Sequence, residues 1–162
     1  MLARTHRLSV GGALLVAGAL RVFRLEQNGF DNEYYAAAVR SMSGSWRNFF
    51  YASFDPAGFV SVDKPPVALW IQVVSVKLLG FHWWSVVMPK VLEGLATVAL
   101  IYRLVERRFG AAAGLLAGLF LAITPISVAT DRSGNTDSCL VLVLALAATR
   151  WLRRLPRWPA SA

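Results

Sequence analysis

Apolar residues are gathered into blocks along this chain. Long runs cover Leu8 to about Val22, Val86 to Tyr102, Ala111 to Val128 and Ser138 to about Thr149, and a shorter one covers Val67 to Leu79. A membrane span needs about 20 predominantly apolar residues, whereas runs of about 10–14 are more often interfacial or re-entrant. The Val67 run falls in the shorter class: Pro66 and Gly80 bound it, and Gln72 and Lys77 interrupt it. The pattern predicts an all-α integral membrane fold with about four transmembrane helices, the Val67 run lying outside the count.

Charge supports that count. Basic clusters stand at Arg4/Arg7, at Arg103/Arg107/Arg108 and at Arg150/Arg153/Arg154/Arg157. Cytoplasmic flanks carry the excess of Lys and Arg, so clusters on one side must be separated by an even number of spans. Leaving the Val67 run out satisfies all three; counting it would put the middle cluster outside. The result is a multi-pass chain of the cell (plasma or inner) membrane with a cytoplasmic N-terminus and an external loop from about Glu26 to Ser85. A cleavable signal peptide has the same opening, but Arg21 and Arg24 follow the first run without a good cleavage site between.

The external loop is too apolar to be a linker. "EYYAAAVRSM" (Glu33 to Met42) predicts a helix, with Ala36, Ala37, Val39 and Met42 as its apolar face, and "WRNFFYASF" (Trp46 to Phe54) predicts a second along the outer surface. The Val67 run makes a third, with Pro65 and Pro66 suiting its first turn. Asp63 then stands near the N-cap and Lys64 beside a helix N-terminus, a natural place for an anion such as phosphate. Lys64 equally suits a residue snorkelling to lipid headgroups.

Composition narrows the classes. The 162 residues are 56% hydrophobic and 16% charged with a formal net charge of +8, against about 25% charged in an average soluble domain. The arginines flank apolar runs, so topology explains the charge better than nucleic acid does. Cys139 is the one cysteine, and His6 and His82 are far apart; no metal-ligand spacing appears. Seven of the nine acids fall at the outer face in this topology: Glu26, Asp31, Glu33, Asp55, Asp63, Asp131 and Asp137. Glu93 follows Lys90 by three residues and can pair with it on one helix face. Gly110, Gly114 and Gly118 have the small-residue spacing of close helix packing. Asp131 to Asp137 form a short external turn, and Asp137 suits either an N-cap or a carboxylate facing a cavity.

Taken together, "FDNEYYAAAVRSM", "DKPPVALWIQVVSVKLLG" and "RRFGAAAGLLAGLFLAITPISVATDRSGNTDSCLVL" resemble the opening of a C-type membrane glycosyltransferase. The group is the protein O-mannosyltransferase-like family, which includes the lipid A aminoarabinose transferases, and the likeness runs from about Leu8 to Ala148. It implies transfer of a sugar from a polyprenyl-phosphate donor to a lipid, glycan or protein acceptor on the external face, among membrane lipids and without nucleic acid. It also implies a catalytic carboxylate in the first loop, Asp31 or Glu33. The family commonly has an Asp-Glu pair there; Asn32 separates the two acids here, and Asp31 is the preferred base. Lys64 of the Lys-Pro-Pro stretch would hold the lipid phosphate, with Asp63, Tyr34 and Asp137 completing the substrate site. No cofactor is implied; a divalent metal is left open.

Family members are several times longer, so residues 1–150 are expected to be an N-terminal membrane module and 151–162 a basic, truncated-looking tail. The rival readings are a non-catalytic multi-pass scaffold and a transporter fragment. A transporter favours midplane charges or repeated broken helices, and no internal repeat is visible. The topology predicts that cysteine-accessibility labelling places position 53 outside and position 107 inside; labelling of both from one side would restore the Val67 run as a span.

Overall fold

The computed structural model describes residues 2–152 and 154, with side chains from Val10 onward. The described residues are helical, with no strand and one antiparallel bridge, Ser53 to Ser61. Helix α1 spans Leu2–Val22, α2 Glu33–Gly44, α3 Trp46–Tyr51, α4 Val67–Leu79, α5 Trp83–Phe109, α6 Ala111–Ile123, α7 Pro125–Asp131 and α8 Asp137–Leu152. Helix α5 is the axis, packing against α1, α4, α6 and α8, while α2 lies on α4 and α3 on α2. Of the tail expected over 151–162, only Trp151, Leu152 and Arg154 lie within the described residues.

The surface helices form where the periodicity puts them. Asn32 caps α2, its side-chain oxygen accepting from the Tyr35 N–H at 3.2 Å. Its buried face is Tyr35, Ala38, Val39 and Met42, the three- and four-residue spacing of one stripe; Ala36 is buried too, but Ala37 is exposed, contrary to expectation. Helix α3 stops at Tyr51, short of the expected Phe54, because Ala52 turns left-handed (φ 49°) and buried Asn48 donates to the Asp55 and Pro56 carbonyls. The following turn is closed by the Asp55 carboxylate, which accepts from the Val60 and Phe59 N–H groups; these hold its pKa below the usual range. Pro66 sits at the N-cap of α4 in the helical region, as the paired prolines suggested.

Helix α5 is longer than the apolar run at its heart and keeps Pro89 in its interior. Proline lacks the N–H that would bond the carbonyl four residues back, here Ser85. Ser75 of α4 supplies a donor instead, Oγ to Ser85 O at 2.6 Å, and Gln72 donates to the neighbouring Val86 carbonyl. The helix break therefore has its partners on α4. Val39, Met42, Leu69, Val73 and Val86 fill the adjoining cluster without exposure, each such side chain contributing roughly 1.5–3 kcal/mol by burial.

The third apolar run is not one straight helix. Thr124 is extended before Pro125, and α6 and α7 meet at 62°; a residue before proline is driven out of the helical region. By length and composition, α5 is the one described helix able to cross a membrane, and α6 with α7 is a second candidate if taken as one bent span. Val10–Val22 and α4 are shorter apolar helices. The expected four spans are thus matched by one or two. Gly114 and Gly118 do bring α6 onto α5: a Cβ at Gly114 would meet the Tyr102 carbonyl oxygen at 2.9 Å. Gly110 has a different role, ending α5 at φ 89°.

Two buried ion pairs cross or line this bundle. Lys90 Nζ reaches Glu93 Oε2 at 3.2 Å, the pairing their spacing suggested. Arg21, at the end of α1, reaches Asp131 Oδ2 at 2.8 Å, with both side chains buried. The same guanidinium donates to the Ala17 and Ala122 carbonyls and to Ser127 Oγ. A Cβ at Gly94 would stand within the Asp131 carboxylate, so only glycine lets α5 pass there. Asp131→Leu should leave a buried cation without its counter-charge and cost about 3–5 kcal/mol, which Arg21→Met in the same chain largely restores. Thermal unfolding in detergent reads this, and a single variant as stable as the parent refutes the pair's importance.

Candidate active site

The turn after α7 gathers the pieces. Arg132 donates from Nη1 to the Leu20 and Phe23 carbonyls, both at 2.7 Å, closing the otherwise unsatisfied end of α1. Its own carbonyl accepts from Asn28 Nδ2 at 3.2 Å. The Gly134 carbonyl accepts from Gln72 Nε2 at 3.4 Å, joining α4 to the same turn. Asn135 Oδ1 accepts from Asn32 Nδ2 at 2.9 Å, joining the start of α2. The first loop, the Lys-Pro-Pro helix and the head of α8 are therefore fixed to one short segment, residues 131–137.

On this frame the expected site residues fall as follows. Asp31 immediately precedes the α2 cap, is exposed, and has φ 58°. A left-handed backbone is uncommon outside glycine, though Asp tolerates it better than most. It is held by the Asp31 N–H to Asn28 O at 2.9 Å and the Asn32 N–H to Phe30 O at 2.7 Å. Glu33 is the first residue of α2, where an acid complements the helix dipole. Tyr34 is stacked on Phe54 with centroids 4.6 Å apart and meets Tyr35 edge-on.

Tyr35, which the sequence did not single out, is buried in the first turn of α2. Its pKa is pushed up by burial first, then by the Asp63 carboxylate, then by Tyr34 and by Asp137. Asp63 and Asp137, 74 positions apart in sequence (137 − 63), thus act on one phenol. Asp63 makes no cap to α4. Asp137 is the first residue of α8 and lines a cleft of about 280 Å³ together with Thr130, Ser127 and Thr97. The carboxylates of Asp31, Glu33, Asp63 and Asp137 are exposed.

Lys64 is exposed as well, beside Asp63 in the chain and without a contact drawing it to the other acids. Among the described residues no group of three His, Cys, Asp or Glu side chains converges as a metal site. Asp131, expected in the turn, ends α7, is 5% exposed and is paired with Arg21.

A family model described as dolichyl-phosphate-mannose-protein mannosyltransferase matches residues 63–157, more than half of the chain. The chain belongs to this family. Two relatives from Bacillus subtilis (strain 168) bear the names "Putative mannosyltransferase YycA" and "Putative mannosyltransferase YkcB". The chain is 51% identical to the first over 140 residues and 46% identical to the second over 139, each alignment covering 86% of it. Those alignments cover 20% and 19% of the relatives, so the chain spans about a fifth of their length. No solved structure matches. The family match includes Asp63, Lys64 and Asp137 and begins after Asp31, Glu33 and Tyr34.

The grouping around Tyr35 gives a direct test within this family member. A phenolate is disfavoured by nearby negative charge, so Asp63→Asn should lower the Tyr35 pKa and Asp137→Asn should lower it less. Ring titration by magnetic resonance measures both. An unmoved Tyr35 in each variant would mean that the two acids do not share its surroundings.

Proposed function

We propose that this chain is the N-terminal membrane module of a glycosyltransferase that moves a sugar from a polyprenyl-phosphate donor to an acceptor hydroxyl on the external face. The observation that carries the reading is Asp31. It is an exposed carboxylate on a left-handed backbone, fixed by the neighbouring Asn32 to the turn that precedes Asp137. Asp31 stands exposed ahead of the α2 cap with no helix to begin, whereas Glu33 is accounted for by the helix it begins. Family membership and the two similar mannosyltransferase relatives support the reaction class.

In this reading the acceptor hydroxyl lies against Asp31, which takes its proton as the hydroxyl oxygen attacks the anomeric carbon of the donor sugar. The bond from that carbon to the phosphate oxygen breaks, and the polyprenyl phosphate leaves with the electron pair. Lys64, next to the α4 start, stabilises the charge gathering on that phosphate. Asp63, Tyr34 and Asp137 orient the sugar and acceptor. Helices α1, α5, α6–α7 and α8 act as four spans, with α2, α3 and α4 on the external surface and the three arginine clusters in the cytoplasm. Residues 1–150 constitute the module, in the cell membrane.

In a full-length relative carrying these motifs, Asp31→Asn keeps the shape and the tolerance for a left-handed backbone but removes the base. It should abolish transfer with membrane insertion intact, while Glu33→Gln should be milder. Lys64→Ala should sharply weaken use of the lipid donor, with Lys64→Arg retaining part of it. Near-parental transfer by Asp31→Asn with a dead Glu33→Gln would move the base to Glu33; full activity of both would remove catalysis from this loop.

A further inference from the structure

We infer that Asn32 and Asn135 form an amide latch that sets the distance between the Asp31 carboxylate and the head of α8, making both asparagines positioning residues; this rests on the reaction proposed above. Three observations carry it. Asn32 Nδ2 donates to Asn135 Oδ1 at 2.9 Å, a side-chain link between positions 103 apart. Asn32 sits between the two candidate acids, and its own oxygen is occupied by the Tyr35 N–H, so one side chain both starts α2 and ties it down. The two segments also pass close enough to need glycine: a Cβ at Gly134 would stand 2.9 Å from the Phe30 carbonyl oxygen and 3.5 Å from Asn32 Cβ.

The chemistry explains why amides stand here. A carboxylate at position 32 would lack the donor that Asn135 Oδ1 receives and would set a further negative charge between Asp31 and Glu33. An amide accepts at the cap and donates across the gap while staying neutral. Asn135 is steadied in turn, its N–H donating to Ser133 Oγ at 3.3 Å, and Asp137 lies two residues beyond. The Asn32–Asn135 hydrogen bond is therefore the side-chain link that joins the start of α2 to the residues just before Asp137, with Asn28 bonding the Arg132 carbonyl further back in the same turn. A geometric error of about 1 Å in such an arrangement costs up to about a hundredfold in rate.

The test is a double-variant cycle in a full-length relative carrying these residues. Asn32→Ser keeps a capping oxygen and deletes the amide donor; Asn135→Ala deletes the acceptor. Each should lower kcat by about ten- to a hundredfold with the donor KM changed less than about twofold. The double variant should be no worse than the poorer single within about twofold, because both remove one bond. Gly134→Ala should give the same kcat loss by pushing the loop and turn apart. Multiplying losses, an unaffected Asn135→Ala, or loss of activity that merely tracks loss of the folded state would overturn the latch. A parent with no transfer activity would defeat the reaction instead. The same cycle read by thermal unfolding of this chain then still decides whether the two asparagines are coupled.

Discussion

The end of the bundle where α1, α6 and α7 meet depends on one buried guanidinium. Arg21 is fully enclosed and meets four partners: the Asp131 carboxylate, the Ala17 and Ala122 carbonyls and Ser127 Oγ. An unpaired charge there would cost several kcal/mol, so the pairing dictates where the chain can go. Ala122 belongs to the last turn of α6, where carbonyls lack helical partners, and Pro125 forces a bend just beyond. Arg21 satisfies a carbonyl before the bend and neutralises the acid after it. Arg132 returns the favour by closing the carbonyls at the end of α1. The two arginines staple α1 to α6 and α7 reciprocally, each using the other segment's helix end.

This staple determines what the candidate site can be built on. Because Asp131 and Arg132 are locked to α1, the next few residues leave the bundle in a fixed direction and carry Gly134, Asn135 and Asp137 outward. Gln72 reaches that rail from α4, which follows the Lys-Pro-Pro stretch, and Asn32 from the cap of α2 between the two loop acids. The candidate acids lie on segments held by hydrogen bonds to a common turn, which limits the freedom of loop residues. Asp131 and Asp137, alike in sequence, divide the work: one is neutralised to hold the frame, and the other is left exposed at the cleft.

Much of the frame was legible in the sequence and little of the hub was. Apolar blocks located α1, α4, α5, α6 and α8, the alanine-rich segment located α2, and three-residue spacing found the Lys90–Glu93 pair, because each signal is local. The Arg21–Asp131 pair joins positions 110 apart, and no periodicity links an arginine at the end of one apolar run to an acid after another. Arg21 resembled a flanking charge because flanking charges are common. Ala37 was misjudged by one position, since an alanine-rich helix shows a weak stripe. The bend at Thr124 could have been read from Pro125, which breaks the third run before its full span length. Asn32 was noticed only as a departure from an acidic pair; its amide role required seeing Asn135 opposite it.

The same logic explains why α4 is half surface helix and half bundle helix. A surface helix needs only an apolar underside, which Leu69, Val73 and Val76 supply. Gln72 and Ser75 would be costly on that underside without partners. Ser75 Oγ and the Gln72 amide nitrogen have partners because Pro89 frees the Ser85 carbonyl of α5 and the Val86 and Gly134 carbonyls accept from Nε2, while Gln72 Oε1 is left buried without one. The polar residues inside the Val67 run, Gln72 and Ser75, are thus the ones that seat α4 across the broken start of α5. A chain with leucine at both positions would be more apolar over the same length, leave the Ser85 carbonyl without the serine donor, and lose the hydrogen bond that ties the helix following Lys64 to the Asp137 turn.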